Sequence, residues 1–325
     1  WDFDNDGSYD ETGRETTWSY AEAKKYEVKL TVSDGTTSSH QVRTLTVASA
    51  DAKSPEPDAG SYSPMTNCEG DSASSGNFYL YYICEMDKSL SSKSIMATVN
   101  VELDGSLSES GDNNDYISSW DWDLDLQRDS DGDGDSKNDA DLSGEKVEWR
   151  DLAPGEYKIA LTVTNGAGLS ETDETVVYVN YAGKWKDFSI AGNNSNNAVE
   201  IEFDYMVVNN LDNGNTIRKG IAELVYPKQD GDCTDIPGTN NCRAILNLYS
   251  YNSSGDEAKN TSSLGPDQRS AGDCDSDNDC IIQTLTGTYE YSESFWQDGE
   301  WKFVIQNDKI NDLDIESLTI KIEYK

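Results

Sequence analysis

Positive charge is what this chain has least of. Against 62 Asp and Glu stand 25 Lys and Arg, a formal net charge of −37 over 325 residues. A field of that sign repels nucleic acid and anionic membrane surfaces instead of steering them into contact. Histidine occurs once, at His40. That leaves no H-E-x-x-H, no histidine-based zinc set and no partner for a nucleophile elbow; His40 follows a Thr-Thr-Ser-Ser run and reads as an exposed turn residue. A phosphate-cradling glycine loop is missing as well. The longest apolar run, residues 78–84, is far too short to cross a bilayer, and no signal peptide is visible, so any anchor is expected outside this sequence. With 62 acids, any carboxylate pair chosen for glycoside hydrolysis is uninformative, and the chain is read as not an enzyme.

What is present is a repeat. Trp1-Asp2-Phe3-Asp4 recurs as Trp122-Asp123-Leu124-Asp125. Each copy is followed by a strand of the same design. In the first, Tyr26, Val28, Leu30 and Val32 alternate with polar residues; in the second, Tyr157, Ile159, Leu161 and Val163 do so. Period-two alternation puts one face on a core and the other in water. Both strands turn, at Ser33-Asp-Gly35 and Thr164-Asn-Gly166, into a last strand ending at Val47 or Val179. Repeated modules without a catalytic signature point to a scaffold.

The pieces Val101-Glu-Leu-Asp-Gly-Ser106, Ile117-Ser-Ser-Trp-Asp-Trp-Asp123, Leu152-Ala-Pro-Gly-Glu-Tyr157 and Leu161-Thr-Val163, in this order, resemble the polycystic-kidney-disease (PKD) domain. That family is an immunoglobulin-like β-sandwich common on archaeal and bacterial cell surfaces. The resemblance implies tandem sandwiches, the first lacking the strand pair that corresponds to residues 99–120. Upstream sequence or a strand donated by a neighbouring subunit is expected to fill that gap. From Trp185 the pattern changes, with strands expected at 199–205, 244–251, 285–291, 301–305 and 318–324, a jelly-roll-like sandwich. Residues 299–308 and 313–322 are similar to the end of the P-domain that follows the catalytic domain in subtilisin-like proprotein convertases. The fold class is therefore all-β: residues 1–48 a partial sandwich, 49–61 a linker, 62–181 a sandwich with an insertion at about 62–94, and 182–325 the jelly-roll-like domain. The aromatic run at 78–82 is expected as a half-buried strand, with a neighbouring subunit as an alternative partner.

Six cysteines fall as three short-range couples, Cys68 with Cys84, Cys233 with Cys242 and Cys274 with Cys280. Fifteen pairings are possible, and the local one is preferred because each couple brackets one loop. Disulfides in a β-rich chain imply an oxidising, extracellular setting. Sequons at Asn193, Asn252 and Asn260 agree with export as glycosylation acceptors.

Acidic loops carry the only suggestion of chemistry. Asp129, Asp131, Asp133 and Asp135, continuing through Asn138, Asp139 and Asp141, put carboxylates at every second position with glycines between. Calcium takes six to eight oxygens, and D-x-D-x-D-G spacing lets a tight turn aim side chains at one point. The loop is not an EF-hand, because its twelfth position is Ala140 and no flanking helix is expected. A second set, Asp2, Asp4, Asp6 and Asp10 around Gly7, has the same spacing. Two readings of it stand: cation ligands, or acceptors for the fold's own hydrogen bonds. A third, Asp275, Asp277 and Asp279, is pinned between Cys274 and Cys280, which pre-organises it for binding.

Two classes of function follow. One is an extracellular structural or adhesive protein, a filament, sheath or surface-layer subunit stiffened by Ca2+, with identical subunits or other surface proteins as partners. The other is a non-catalytic accessory or binding region of a secreted protease or polysaccharide-degrading enzyme, with carbohydrate as a partner.

Overall fold

The computed structural model describes residues 1–130, 132, 134, 136–137, 139–193, 197–208, 217–229, 242–270, 274–286 and 297–325. Along them run β1 (Lys24–Ser33), β2 (Ser38–Val47), β3 (Tyr79–Lys88), β4 (Val99–Asp104), β5 (Ile117–Asp123), β6 (Leu142–Ser143), β7 (Lys146–Leu152), β8 (Gly155–Asn165), β9 (Ser170–Ile190), β10 (Val199–Val207), β11 (Lys219–Pro227), β12 (Leu246–Tyr251), β13 (Glu257–Asn260), helix α1 (Pro266–Arg269), β14 (Asn278–Thr286), β15 (Gly299–Asn307) and β16 (Leu313–Glu323). The chain is all-β because its apolar residues recur with period two, which gives a strand one core face and gives a helix none.

The strands gather into two compact units. Unit 1 comprises Trp1–Ser61, Glu102–Glu148 and Lys158–Thr175; unit 2 comprises Tyr62–Val101, Trp149–Tyr157 and Val176–Lys325. Residues 62–181, expected as one sandwich, contribute to both.

In unit 1, β1 and β2 form an antiparallel hairpin, from Lys24 opposite Val47 to Ser33 opposite Ser38. His40 therefore lies within β2, exposed and opposite Thr31, and not in the turn. Strand β5 lies between β8 and β6, with Trp120 opposite Val163 and Trp122 opposite both Leu161 and Leu142. Leu103, Trp122, Leu161 and Val163 are wholly buried there, each large side chain worth about 1.5–3 kcal/mol of transfer free energy. Gly105 permits the close approach: a Cβ would stand 2.8 Å from Leu161 Cδ2. The segment 49–61 is tied down, since Glu56 bridges Glu109, the Asp58 amide donates to Ser108 Oγ and the Ala59 amide to Asp173 Oδ2.

The two repeat copies differ in cover. Val163 has no exposed surface, whereas Val32, its counterpart, is 62% exposed and Leu45 44%. Residues 146–152 form β7, which pairs with β4, whereas the corresponding residues 15–21 of the first copy form no strand. A strand needs a partner for its N–H and C=O groups, and without one the same pattern stays irregular.

Unit 2 is a two-sheet sandwich. One sheet runs β14-β11-β16-β9, with β3 parallel to β9; the other runs β10-β15-β12-β13. The rings of Trp185 on β9 and Phe203 on β10 meet edge-on at 4.8 Å, and Tyr181, Trp301, Phe303, Leu318 and Ile320 complete the core. Residues 78–84 enter β3, where Tyr79 and Leu80 are buried and Tyr79 sits opposite Val177. The strand β11 was not anticipated, although Gly220, Ala222, Leu224 and Tyr226 alternate inward along it. The strand expected at 285–291 is placed earlier, as β14, and residues 287–291 lie outside the described residues.

Candidate functional site

The two Trp-Asp turns share a set of matching hydrogen bonds. The Trp1 indole Nε1 donates to Gly13 O at 3.0 Å, and the Trp122 indole to Gly144 O at 3.0 Å. The Trp1 carbonyl accepts the Asp10 amide at 2.8 Å, and the Trp122 carbonyl the Asp141 amide at 2.9 Å. Asp10 Oδ2 accepts the Phe3 amide at 2.6 Å; Asp141 Oδ2 accepts the Leu124 amide at 2.8 Å. Asp2 bridges Lys29, and Asp123 stands opposite Ala160. Tyr26 donates to Glu22 O at 3.1 Å, as Tyr157 does to Ala153 O at 2.9 Å. In each copy an acid beyond the loop reaches back to hold the strand that carries the tryptophan.

Their central acids fare differently. Asp2 is buried, and its two oxygens accept the Asp6 amide at 3.1 Å and the Gly7 amide at 3.0 Å. Asp4 Oδ1 accepts the Asp6 amide and Asp6 Oδ1 the Ser8 amide. Asp2, Asp4 and Asp10 bring carboxylate oxygens within 4.8 Å of one another, the one group of three acids among the described residues to do so. Asp123, 1% exposed, accepts the Asp125 amide at Oδ1 (2.9 Å), but its buried Oδ2 has no hydrogen-bond partner among the described residues. Its carboxyl is pushed up to about 6, chiefly by burial, with the charges of Asp141 and Asp139 adding to the rise and the backbone amides of Asp125 and Asp139 acting against it. Asp123 was not among the candidate ligands, although its counterpart Asp2 in the repeated Trp-Asp-x-Asp motif was.

The longer second loop is organised by amides. Asp129 accepts the Gly132 amide at Oδ1 (2.7 Å) and the Gly134 amide at Oδ2 (2.9 Å). Both glycines have positive φ, 75° and 94°, which side-chain-bearing residues rarely adopt. Asp139, 3% exposed, accepts the Ser130 amide at Oδ2. Asp131, Asp133, Asp135 and Asn138 lie outside the described residues. In unit 2, Asp279 is buried and held by Arg243 at 2.9 and 3.0 Å and by Ser270 Oγ at 2.7 Å, while Asp275 and Asp277 are exposed. The structure does not bring the three into one cluster within 4.8 Å.

Cys68 is bonded to Cys84 and Cys274 to Cys280. Cys242 is disulfide-bonded, and Cys233 lies outside the described residues. Of the sequon residues, Asn252 accepts the Ser254 and Asp256 amides, Asn260 accepts the Ser262 amide and donates to Glu257, and the Asn193 amide donates to Lys309 O.

No family model matches the chain, and no curated protein does. Among solved structures, one of the carbohydrate-binding modules of the β-sandwich superfamily is similar over 84% of this chain and 98% of its own, at 12% identity and a TM-score of 0.28. A Bacteroides ovatus mixed-linkage glucan utilisation protein, SGBP-B, is similar over 92% of this chain and 59% of its own, at 10% identity and a TM-score of 0.16. The β-porphyranase of Bacteroides plebeius is similar over 57% of this chain and 39% of its own, at 9% identity and a TM-score of 0.23.

Proposed function

We propose that the chain is a non-catalytic β-sandwich region of an exported protein, built of two PKD-like copies and a further sandwich, that spaces or presents other parts of that protein. The observation that carries this reading is the pair of matching Trp-Asp turns. Asp2, Asp10 and Asp141 accept backbone amides in them, so these carboxylates are engaged as structural acceptors and not turned out as bases or nucleophiles. Two described disulfides support an oxidising compartment. An accessory region of a secreted hydrolase and a surface-layer, sheath or filament subunit are both forms of this one reading.

The test separates them. The purified chain is assayed for retention on insoluble polysaccharides, for concentration-dependent sedimentation, and for turnover of polysaccharide and peptide substrates. Retention with no turnover supports the accessory form, and reversible assembly supports the subunit form. Turnover that survives repurification and is lost with Asp10→Asn or Asp141→Asn overturns the proposal.

A further inference from the structure

We infer that the turn of the second copy is a calcium site in unit 1, with Asp123 as its inner ligand and Asp139 and Asp141 completing the acid set. The internal repeat supplies the control. In the first copy the central acid spends both oxygens on loop amides, from Asp6 and Gly7. In the second copy the loop is longer and its glycine amides go elsewhere, to Asp129. Asp123 Oδ2 is left buried and, among the described residues, without a hydrogen-bond partner. An uncompensated buried carboxylate oxygen is costly, and a hard cation is the partner whose chemistry fits it.

The neighbours point the same way. The Asp141 amide and carboxylate both bond the strand on either side of Asp123, through Trp122 O and the Leu124 amide. Asp139 precedes Asp141 by two residues and is itself buried, with one oxygen on the Ser130 amide. Each carboxylate oxygen has a second lone pair for a metal. The three acids are not drawn to within 4.8 Å of one another as Asp2, Asp4 and Asp10 are. The donor set is oxygen only, which selects calcium or magnesium over softer ions, and an irregular loop suits calcium's tolerant geometry better than magnesium's octahedron.

The test uses the full chain, stripped of metal, titrated with calcium chloride and with terbium chloride excited through tryptophan. Saturating calcium is expected to raise the melting temperature by about 5 °C or more, and terbium emission is expected to appear and to be displaced by calcium. Asp123→Asn should abolish both responses, Asp139→Asn should weaken affinity at least ~10-fold, and Asp2→Asn should leave both intact. Near-ultraviolet circular dichroism confirms that each variant is folded. If Asp123→Asn does not fold, the Asp139→Asn affinity decides. Responses that survive in folded Asp123→Asn, an unchanged affinity in Asp139→Asn, responses lost in Asp2→Asn, or no response in the native chain each overturn the site.

Discussion

Arg269 offers the sharpest perturbation of unit 2. It ends the short helix α1 and is 3% exposed, yet no salt bridge forms to it among the described residues. Its guanidinium is held by neutral acceptors: Leu246 O and Asn247 Oδ1, both at 2.6 Å, Leu264 O at 3.1 Å, Thr261 O at 3.2 Å and the Tyr226 hydroxyl at 3.4 Å. One fork thus ties strands β11 and β12 to the loop after β13. Arg269→Met keeps most of the apolar stem but removes every donor. Thr261 O keeps the Leu264 amide, so the loss falls on Leu246, Asn247 and Leu264. Each orphaned buried acceptor costs about 1–3 kcal/mol, partly offset because a charge no longer needs desolvating. We expect a net loss of about 3 kcal/mol, a fall of roughly 6–12 °C in melting temperature for a unit of this size. Lysine presents its donors at one point and cannot span the same acceptors, so Arg269→Lys should lose about half as much. Adding Asn247→Leu to Arg269→Met removes an orphan and should recover stability. Urea unfolding with a constant slope measures all three. If Arg269→Met lies within about 1 kcal/mol of the native chain, the guanidinium contributes no net stability and the reasoning fails.

Core burial distinguishes the repeat copies: Leu161→Ala should cost about 2–5 kcal/mol and Val32→Ala less than about 0.5, and equal losses in thermal melts would refute the difference in cover. Replacing Cys68 and Cys84, 16 residues apart, by serine should cost about 2–4 kcal/mol, and non-reducing peptide mapping should recover that couple in the native chain. Burial acts to raise the Glu85 carboxyl, but hydrogen bonds from Lys88 and Tyr181 outweigh it, and the folded pKa lies below the ordinary 4.5. Its stabilisation is therefore present above pH 4.5 and lost as pH falls through the folded value. The Glu85→Gln variant should be less stable at pH 7, by under about 1 kcal/mol because the side chain is 35% exposed, and the two stability curves should converge in acid. Curves that stay parallel down to pH 3 would contradict that assignment.

Much of the fold was legible because strands write themselves locally. Tyr157, Ile159, Leu161 and Val163 alternate, and β8 follows. Strand β11 escaped because its inward positions are Gly220, Ala222, Leu224 and Tyr226, half of them too small to register as apolar. At the acidic turns, spacing drew attention to loop residues such as Asp129, which proves to be an acceptor for Gly132 and Gly134. Asp123 shares its motif position with Asp2, but what distinguishes it is a buried oxygen without a hydrogen-bond partner among the described residues, which only three dimensions show. Arg269 was equally silent: its five acceptors come from three separate stretches of chain.

By itself, then, the sequence determined an acidic all-β chain with a repeated Trp-Asp turn, because charge, composition and period-two alternation are local properties that no tertiary arrangement can change. The tertiary structure alone decided which acid has its oxygens capped and which does not. Asp2 and Asp123 stand in the same motif, and only the path of the loop beyond each one brings amides to both oxygens of the first and leaves one oxygen of the second without a hydrogen bond among the described residues.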